Sequence, residues 1–232
     1  MEKIKKIDLS IVVVSKNEVK NLVSILPNLL VHSDDIILVD GHSNDGTKEL
    51  CGKYNVKFLL DNKIGKGDAQ KVGIKAAKNE IVLFVDGDGS HDLEDIDNLY
   101  NEIKIKNFDL SLGSRMSGGS LDIISNTSFI GFIRFVGNNF LVYLFNKVFN
   151  SSLTEVLYSF RCVRKKNFLE ANITADKFDI ELDMLIKFML KKFKITEIPS
   201  REYKRIYGES KLNTLVGICF IFQILKYIFV KK

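Results

Sequence analysis

Asp86 and Asp88 are the residues whose type and spacing speak most directly of chemistry in this chain. One glycine separates them, and they close Ile81 to Val85, a short apolar run rich in β-branched residues. Such a run reads as a buried strand, and ligands of open α/β sheets bind beyond the carboxyl ends of the strands. Carboxylate oxygens at that place suit Mg²⁺ or Mn²⁺, hard cations that keep positions open for substrate phosphates. Gly87 and Gly89 let a ligand approach closely. The pair therefore points to a metal-bound phosphate or diphosphate, with an ordinary acidic turn as the other reading.

Further polar groups gather after other apolar runs. Ser15-Lys16-Asn17-Glu18 follows the first and Asp40 to Thr47 the second. Asp40 can accept from a nucleobase or ribose, while Ser43 to Asp45 can equally cap the next helix. Lys63 to Ala69 carries Gly65 and Gly67 where a helix opens, a place where backbone N–H groups meet anions. It lacks the third glycine of a dinucleotide fingerprint, and no Walker A motif is present. His32, His42 and His91 show no metal-ligand spacing and are expected at surface or cap positions. No Ser/His/Asp or Cys/His constellation is legible from residue order.

The elements that must position these groups follow from periodicity. Strands at 9–14, 36–39, 56–60, 81–85 and 108–112 alternate with helices at about 19–30, 44–53, 67–78 and 93–105. Continuous apolar strands alternating with helices predict an α/β fold with a doubly wound, mostly parallel sheet. After residue 112 the alternation breaks. Gly113 to Gly119 forms a basic loop with Arg115, and a long apolar helix at about 127–149 carries Arg134, Asn138 and Asn139. An arginine in so apolar a stretch must be paired or face an interface or a ligand. A helix at 178–191 opens with Asp179, Glu181 and Asp183, which suit the positive end of the helix dipole. Leu212 to Val230 is apolar and ends in two lysines. At ~1.5 Å per residue it just reaches across a ~30 Å bilayer core, yet its interior polar groups favour a helix lying in the interface or packing on a partner. The expected division is a catalytic domain over 1–211 and this helix over 212–232.

With 232 residues, 46% of them hydrophobic, the chain can bury one large core. Its net charge of +5 does not call for nucleic acid, but it fits attraction to an anionic membrane surface. Cys51, Cys162 and Cys219 have no paired spacing and are expected as buried thiols in a reducing compartment. The Lys-rich start runs straight into a strand, so no signal peptide is expected and the protein is placed at the cytoplasmic face of a membrane.

The motifs Ser15-Lys16-Asn17-Glu18, Val39 to Thr47, Gly65-Lys66-Gly67, Asp86-Gly87-Asp88 with Ser90-His91, Gly113-Ser114-Arg115 with Gly118-Gly119, Ser159-Phe160-Arg161, and Tyr203 with Arg205, Gly208 and Ser210-Lys211-Leu212 occur in one order from Leu9 to about Leu212. In that order the chain resembles the family 2 glycosyltransferases, in particular the dolichol-phosphate mannose and glucose synthases. The resemblance implies a GT-A fold and an inverting transfer from a nucleotide-sugar to dolichyl or another polyprenyl phosphate; UDP-glucose, UDP-N-acetylglucosamine and GDP-mannose are the candidate donors, a UDP-sugar being preferred although no residue decides it. By carry-over, Ser15, Asn17, Glu18, Asp40, Lys66, Asp86, Arg205 and Lys211 hold the donor. Asp86 and Asp88 hold Mg²⁺ or Mn²⁺, while Arg115, Arg134 and Asn138 receive the acceptor phosphate, with Asp88, Arg115 and Arg134 the catalytic set.

The implied chemistry needs no base, because a phosphate monoester is already an anion. The chain departs from the family pattern at Gly41, where many relatives carry a second Asp, and at Thr154 to Ser159 ahead of the Phe-Arg pair. It also carries Asn138 where some members have a serine, and the appended paired transmembrane helices of some members are not in evidence. Two alternatives stand beside this expectation. A family 2 transferase acting on a hydroxyl would need a base, with Glu155 or Asp179 as candidates. A silent scaffold would bind the nucleotide-sugar, or recruit partners at the membrane, without chemistry. Self-association through the C-terminal helix is compatible with each.

Overall fold

The computed structural model describes residues 6–119, 129–205, 207–208 and 216–230. A seven-stranded sheet runs in the order β3-β2-β1-β4-β6-β5-β7. Its strands are β1 (Leu9–Ser15), β2 (Asp35–Asp40), β3 (Lys57–Leu60), β4 (Ile81–Asp86), β5 (Leu110–Ser114), β6 (Arg161–Arg164) and β7 (Ile195–Pro199). Six point the same way; β6 alone is antiparallel to both of its neighbours, β4 and β5. The mostly parallel, doubly wound expectation holds, with one feature that periodicity did not reveal. Arg161 to Arg164 is too short to read as a strand, and it inserts between β4 and β5.

Helices cover both faces. One face carries α1 (Val19–His32), α2 (Thr47–Tyr54) and α4 (Ile96–Lys104), a short 3₁₀ turn at Leu93–Asp95 leading into the last. The other carries α3 (Lys66–Ala76), α5 (Phe129–Phe149), α6 (Lys165–Glu170), α7 (Ile180–Leu190) and α8 (Val216–Val230). Strand alternation divides the core accordingly. Ile11, Val13, Leu83 and Val85 meet Leu22, Leu26 and Leu29 of α1 and Leu99 and Ile103 of α4. Val12, Val82 and Phe84 meet Ile74, Phe145 and Phe188 on the opposite side.

One face of α8 joins this second core. Phe220 and Ile224 are buried there, α8 packs along α5, and the Tyr227 ring lies 6.2 Å from that of Phe149. Among the described residues no helix is long and apolar enough to cross a membrane. Cys51 and Cys162 are buried as expected, but Cys219 is exposed on α8.

Candidate active site

The strand register brings the chemistry together. Ser15 pairs with Asp40 across β1 and β2, and Val14 pairs with Asp86 across β1 and β4, so three acid- or hydroxyl-bearing strand ends lie side by side. A Cβ on Gly87 would come within 2.9 Å of the Ser15 side chain, which is why the residue after Asp86 has none. The Ser15 hydroxyl is buried with no hydrogen-bond partner among the described residues, an orphaned polar atom at the centre of the strand ends.

Asp86 and Asp88 each meet a cationic side chain. Lys66 Nζ lies 2.9 Å from Asp86 Oδ2 and 3.0 Å from Glu181 Oε1, so α3 and α7 each send a charge to the end of β4. Burial alone would raise the Asp86 carboxyl, but the Lys66 ammonium, helped by the Ser159 hydroxyl, holds it down at about 2. Burial would likewise lower Lys66, and its two carboxylates raise it instead. Asp88 accepts from the Ser90 backbone N–H and hydroxyl on Oδ1, and its Oδ2 meets the Arg205 guanidinium at 2.7 Å. The segment carrying Arg205 is tied to the acidic loop by the Tyr203 N–H on Ser90 O at 2.7 Å. Beside Asp86, a cleft of about 500 Å³ opens between α1 and the 85–94 loop, lined by Asn21, Asn28, His91, Asp92 and Tyr203 among others.

The remaining expected donor residues shape loops around this point. Asp40 is buried and accepts the Ser43 N–H at 2.7 Å and hydroxyl at 2.5 Å, while the Asn17 N–H donates to the same hydroxyl at 2.7 Å. Asp45 ties the first turn of α1, through Val19 N–H, to the start of α2, through Thr47. Glu18 accepts from Asn21, and Gly208 passes close over it. At Gly41 a Cβ would sit 3.1 Å from Lys16, so the departure from the family aspartate leaves room for the lysine stem. Lys211 lies outside the described residues.

The glycines of Gly65-Lys66-Gly67 prove to have another use than anion contact. Cβ atoms there would fall 2.8 Å from Asp176 O and 2.7 Å from Ala175 O, and the Asp68 N–H already donates to Asp176 O at 3.0 Å. The start of α3 is thus covered by the chain's own backbone, and Lys66 carries charge to the site through its side chain. Gly67→Ala forces the 175–176 backbone aside and is expected to cost about 1–3 kcal/mol, measurable as a lower urea midpoint with an unchanged slope.

Arg115 lies in a second cluster. Its Nε is 2.8 Å from Glu155, one terminal nitrogen is 3.0 Å from Glu202, and the guanidinium covers the Tyr158 ring at 4.8 Å. Glu155 is fully buried. Its other oxygen accepts the Val156 and Leu157 N–H groups, and although burial pushes its carboxyl up, Arg115 and these bonds bring it below its ordinary value. Arg134 is exposed on α5, so the expected burial penalty does not arise; one turn on, both amide atoms of Asn138 are buried without a partner among the described residues.

One expectation is corrected, and two acids gain partners that the sequence did not reveal. His91 is neither surface nor cap: it is buried between Phe160, at 4.7 Å, and Tyr158, at 5.1 Å, and burial pushes its imidazole down despite Asp86 and Asp88 nearby. Glu181 stands in the first turn of α7, where the dipole reading put it, and is also an ion-pair partner of Lys66. Asp183 is buried as well, accepting the Thr174 and Ala175 N–H groups. The parts played by Glu181, Glu202 and Ser159 carry no signal in the sequence, because nothing in linear spacing links them to Asp86 or Arg115.

The model for glycosyl transferase family 2 matches residues 10–144. The chain belongs to this family. Among curated members, it is 25% identical over 178 residues to the glycosyltransferase AglJ of Haloferax volcanii, covering 75% of this chain and 55% of that protein. It is 27% identical over 205 residues to a dolichyl-phosphate beta-glucosyltransferase of Drosophila melanogaster, covering 76% and 61%. The chain thus spans somewhat over half the length of these relatives. Glucosyl-3-phosphoglycerate synthase of Mycobacterium tuberculosis, crystallised with Mn²⁺, UDP-glucose and phosphoglyceric acid, superposes with a TM-score of 0.66 at 15% identity, over 95% of this chain and 78% of that one. That likeness shows the family 2 fold, the GT-A arrangement the motifs implied.

Proposed function

We propose that this family 2 protein transfers a monosaccharide from a nucleotide-sugar to dolichyl or another polyprenyl phosphate with inversion at the sugar C1. The observation that carries the reading is the pairing of Asp86 with Lys66 and of Asp88 with Arg205 at the end of β4, beside the orphaned Ser15 hydroxyl. Among the described residues no three His, Cys, Asp or Glu side chains form a metal cage. Two carboxylates alone fit a Mg²⁺ or Mn²⁺ that shares its coordination with substrate phosphates. Asp86 and Asp88 would hold that ion, which supplies neutralisation for the departing diphosphate. Lys66 keeps Asp86 ionised, and Arg205 lies within reach of the same charge. A lipid phosphate oxygen attacks C1 from the face opposite the nucleotide; the new C–O bond forms as the bond to the diphosphate breaks, and no proton moves.

The state of the offered bases favours an acceptor that arrives ionised. Glu155 has both oxygens engaged inside the fold and cannot take a proton from a substrate hydroxyl. Asp179, half-buried at the head of α7, is the carboxylate left for hydroxyl chemistry. Neither α5 nor α8 contains an acidic residue, and they expose Phe140, Tyr143 and Phe222 beside Lys147 and Lys226. Exposed aromatic rings with basic and no acidic side chains on these helices suit an anionic bilayer surface, where the lipid acceptor resides.

Labelled UDP-glucose, UDP-N-acetylglucosamine and GDP-mannose, each with Mn²⁺ and dolichyl phosphate in anionic vesicles, test the reading. One donor is expected to move label into the organic phase, and Asp179→Asn is expected to leave that transfer within about twofold. Label confined to the aqueous phase for every donor rejects the lipid-phosphate acceptor. Transfer to a hydroxyl acceptor that Asp179→Asn abolishes supports the base-dependent alternative instead.

A further inference from the structure

Two motifs, Ser90-His91 and Ser159-Phe160-Arg161, have no part in the reaction as described. Arg161 is accounted for by the fold: it is buried and donates to the carbonyls of Tyr158, Val156 and Glu181. His91 and Ser159 meet at Asp86. The Asp86 backbone N–H, which can only donate, points at His91 Nδ1 at 3.4 Å. The ring proton is therefore on Nε2, 3.1 Å from the Ser159 hydroxyl oxygen. With that oxygen accepting, the Ser159 hydrogen is directed at Asp86 Oδ2, 2.6 Å away. Every link has one possible direction, from an obligate donor to an ionised acceptor. Among the described residues the side-chain contacts to Asp86 fall on Oδ2, and Oδ1 is left for a ligand.

We propose that His91, acting through Ser159, fixes the carboxylate of Asp86 and so sets the affinity of the site for a metal-bound nucleoside diphosphate. This rests on the reading that Asp86 and Asp88 hold the donor. His91 and Ser159 are positioning residues, since neither has to touch the reacting atoms. A carboxylate free to rotate must be ordered when the ligand binds, whereas one already clamped by Ser159 and Lys66 is not.

Calorimetric titration of the full chain with Mn²⁺ plus UDP, and with Mn²⁺ plus GDP, separates the possibilities. Ser159→Ala and His91→Phe are each expected to weaken binding of the accepted nucleotide about tenfold. The double variant is expected to be no weaker than the worse single, because one chain of hydrogen bonds is lost only once. Ser159→Thr keeps the hydroxyl and is expected to stay within about threefold of the parent. Singles that bind like the parent, or a double near the product of the two losses, overturn the inference while leaving the donor site standing. A parent that binds neither nucleotide overturns the donor reading and this inference with it. Should His91→Phe fail to fold, the contrast between Ser159→Ala and Ser159→Thr decides alone.

Discussion

Asp88→Asn is expected to lower kcat/KM for sugar transfer by roughly three orders of magnitude, about 4 kcal/mol of transition-state stabilisation, while leaving the fold intact. The two expectations follow from different atoms of one side chain. Oδ1 accepts from Ser90, and an asparagine oxygen can do the same, so the acidic loop keeps its shape. Oδ2 faces the Arg205 guanidinium, and an amide nitrogen there turns attraction into repulsion and removes the negative charge a divalent cation requires. The Arg205 side chain is 30% exposed, so water can replace its lost partner and the stability change stays within about 1 kcal/mol. Steady-state kinetics paired with thermal melting would read both quantities. An Asp88→Asn variant that turns over normally would return Asp86-Gly87-Asp88 to the status of an ordinary turn and remove the metal from the proposal.

The parts of this site legible in the sequence are those set by strand ends. Asp40 and Asp86 each terminate an apolar run, and parallel pairing with β1 then forces them to the same edge as Ser15. Period and punctuation suffice for that deduction. Groups that arrive from elsewhere carry no such mark. Glu181 resembles a helix-start acid like many others, and only the approach of α3, allowed by Gly65 and Gly67, brings Lys66 to it. His91 reads as a polar loop residue because loops are usually exposed. It is buried because β6 runs antiparallel beside β4 and brings the rings of Tyr158 and Phe160 over the acidic loop. Four residues of strand with a reversed direction have no distinctive periodicity, so their consequences for the site are invisible too. In α8 the apolar run is evident, but its inner face, Phe220 and Ile224, cannot be assigned to the core until α5 is in place.

Arg115→Ala should lower the melting temperature by roughly 6–20 °C, taking about 3–5 kcal/mol for the loss of one member of a buried ion pair and about 2–4 °C per kcal/mol in a chain of this length. Its guanidinium is the only described cation hydrogen-bonded to the Glu155 carboxylate, whose side chain has no exposure to water, and it also covers the face of Tyr158. Truncation leaves that carboxylate charged, dry and held only by two backbone N–H groups. A second substitution, Glu155→Gln, should therefore stabilise the Arg115→Ala variant, because the charge that had become unpaired is gone. The same geometry bears on acceptor binding. Two edges of the guanidinium are committed to Glu155 and Glu202, and among the described residues the second terminal nitrogen is the portion that, on the proposed reading, would receive the acceptor phosphate. Arg115→Lys keeps the charge but not the fork, and should raise the acceptor KM about tenfold or more with donor affinity nearly unchanged. Loss of donor affinity in the lysine variant would show that Arg115 serves the nucleotide side. If the alanine variant melts with the parent and gains nothing from Glu155→Gln, the pair is not what holds this corner of the fold, and Glu155 becomes available again as a base.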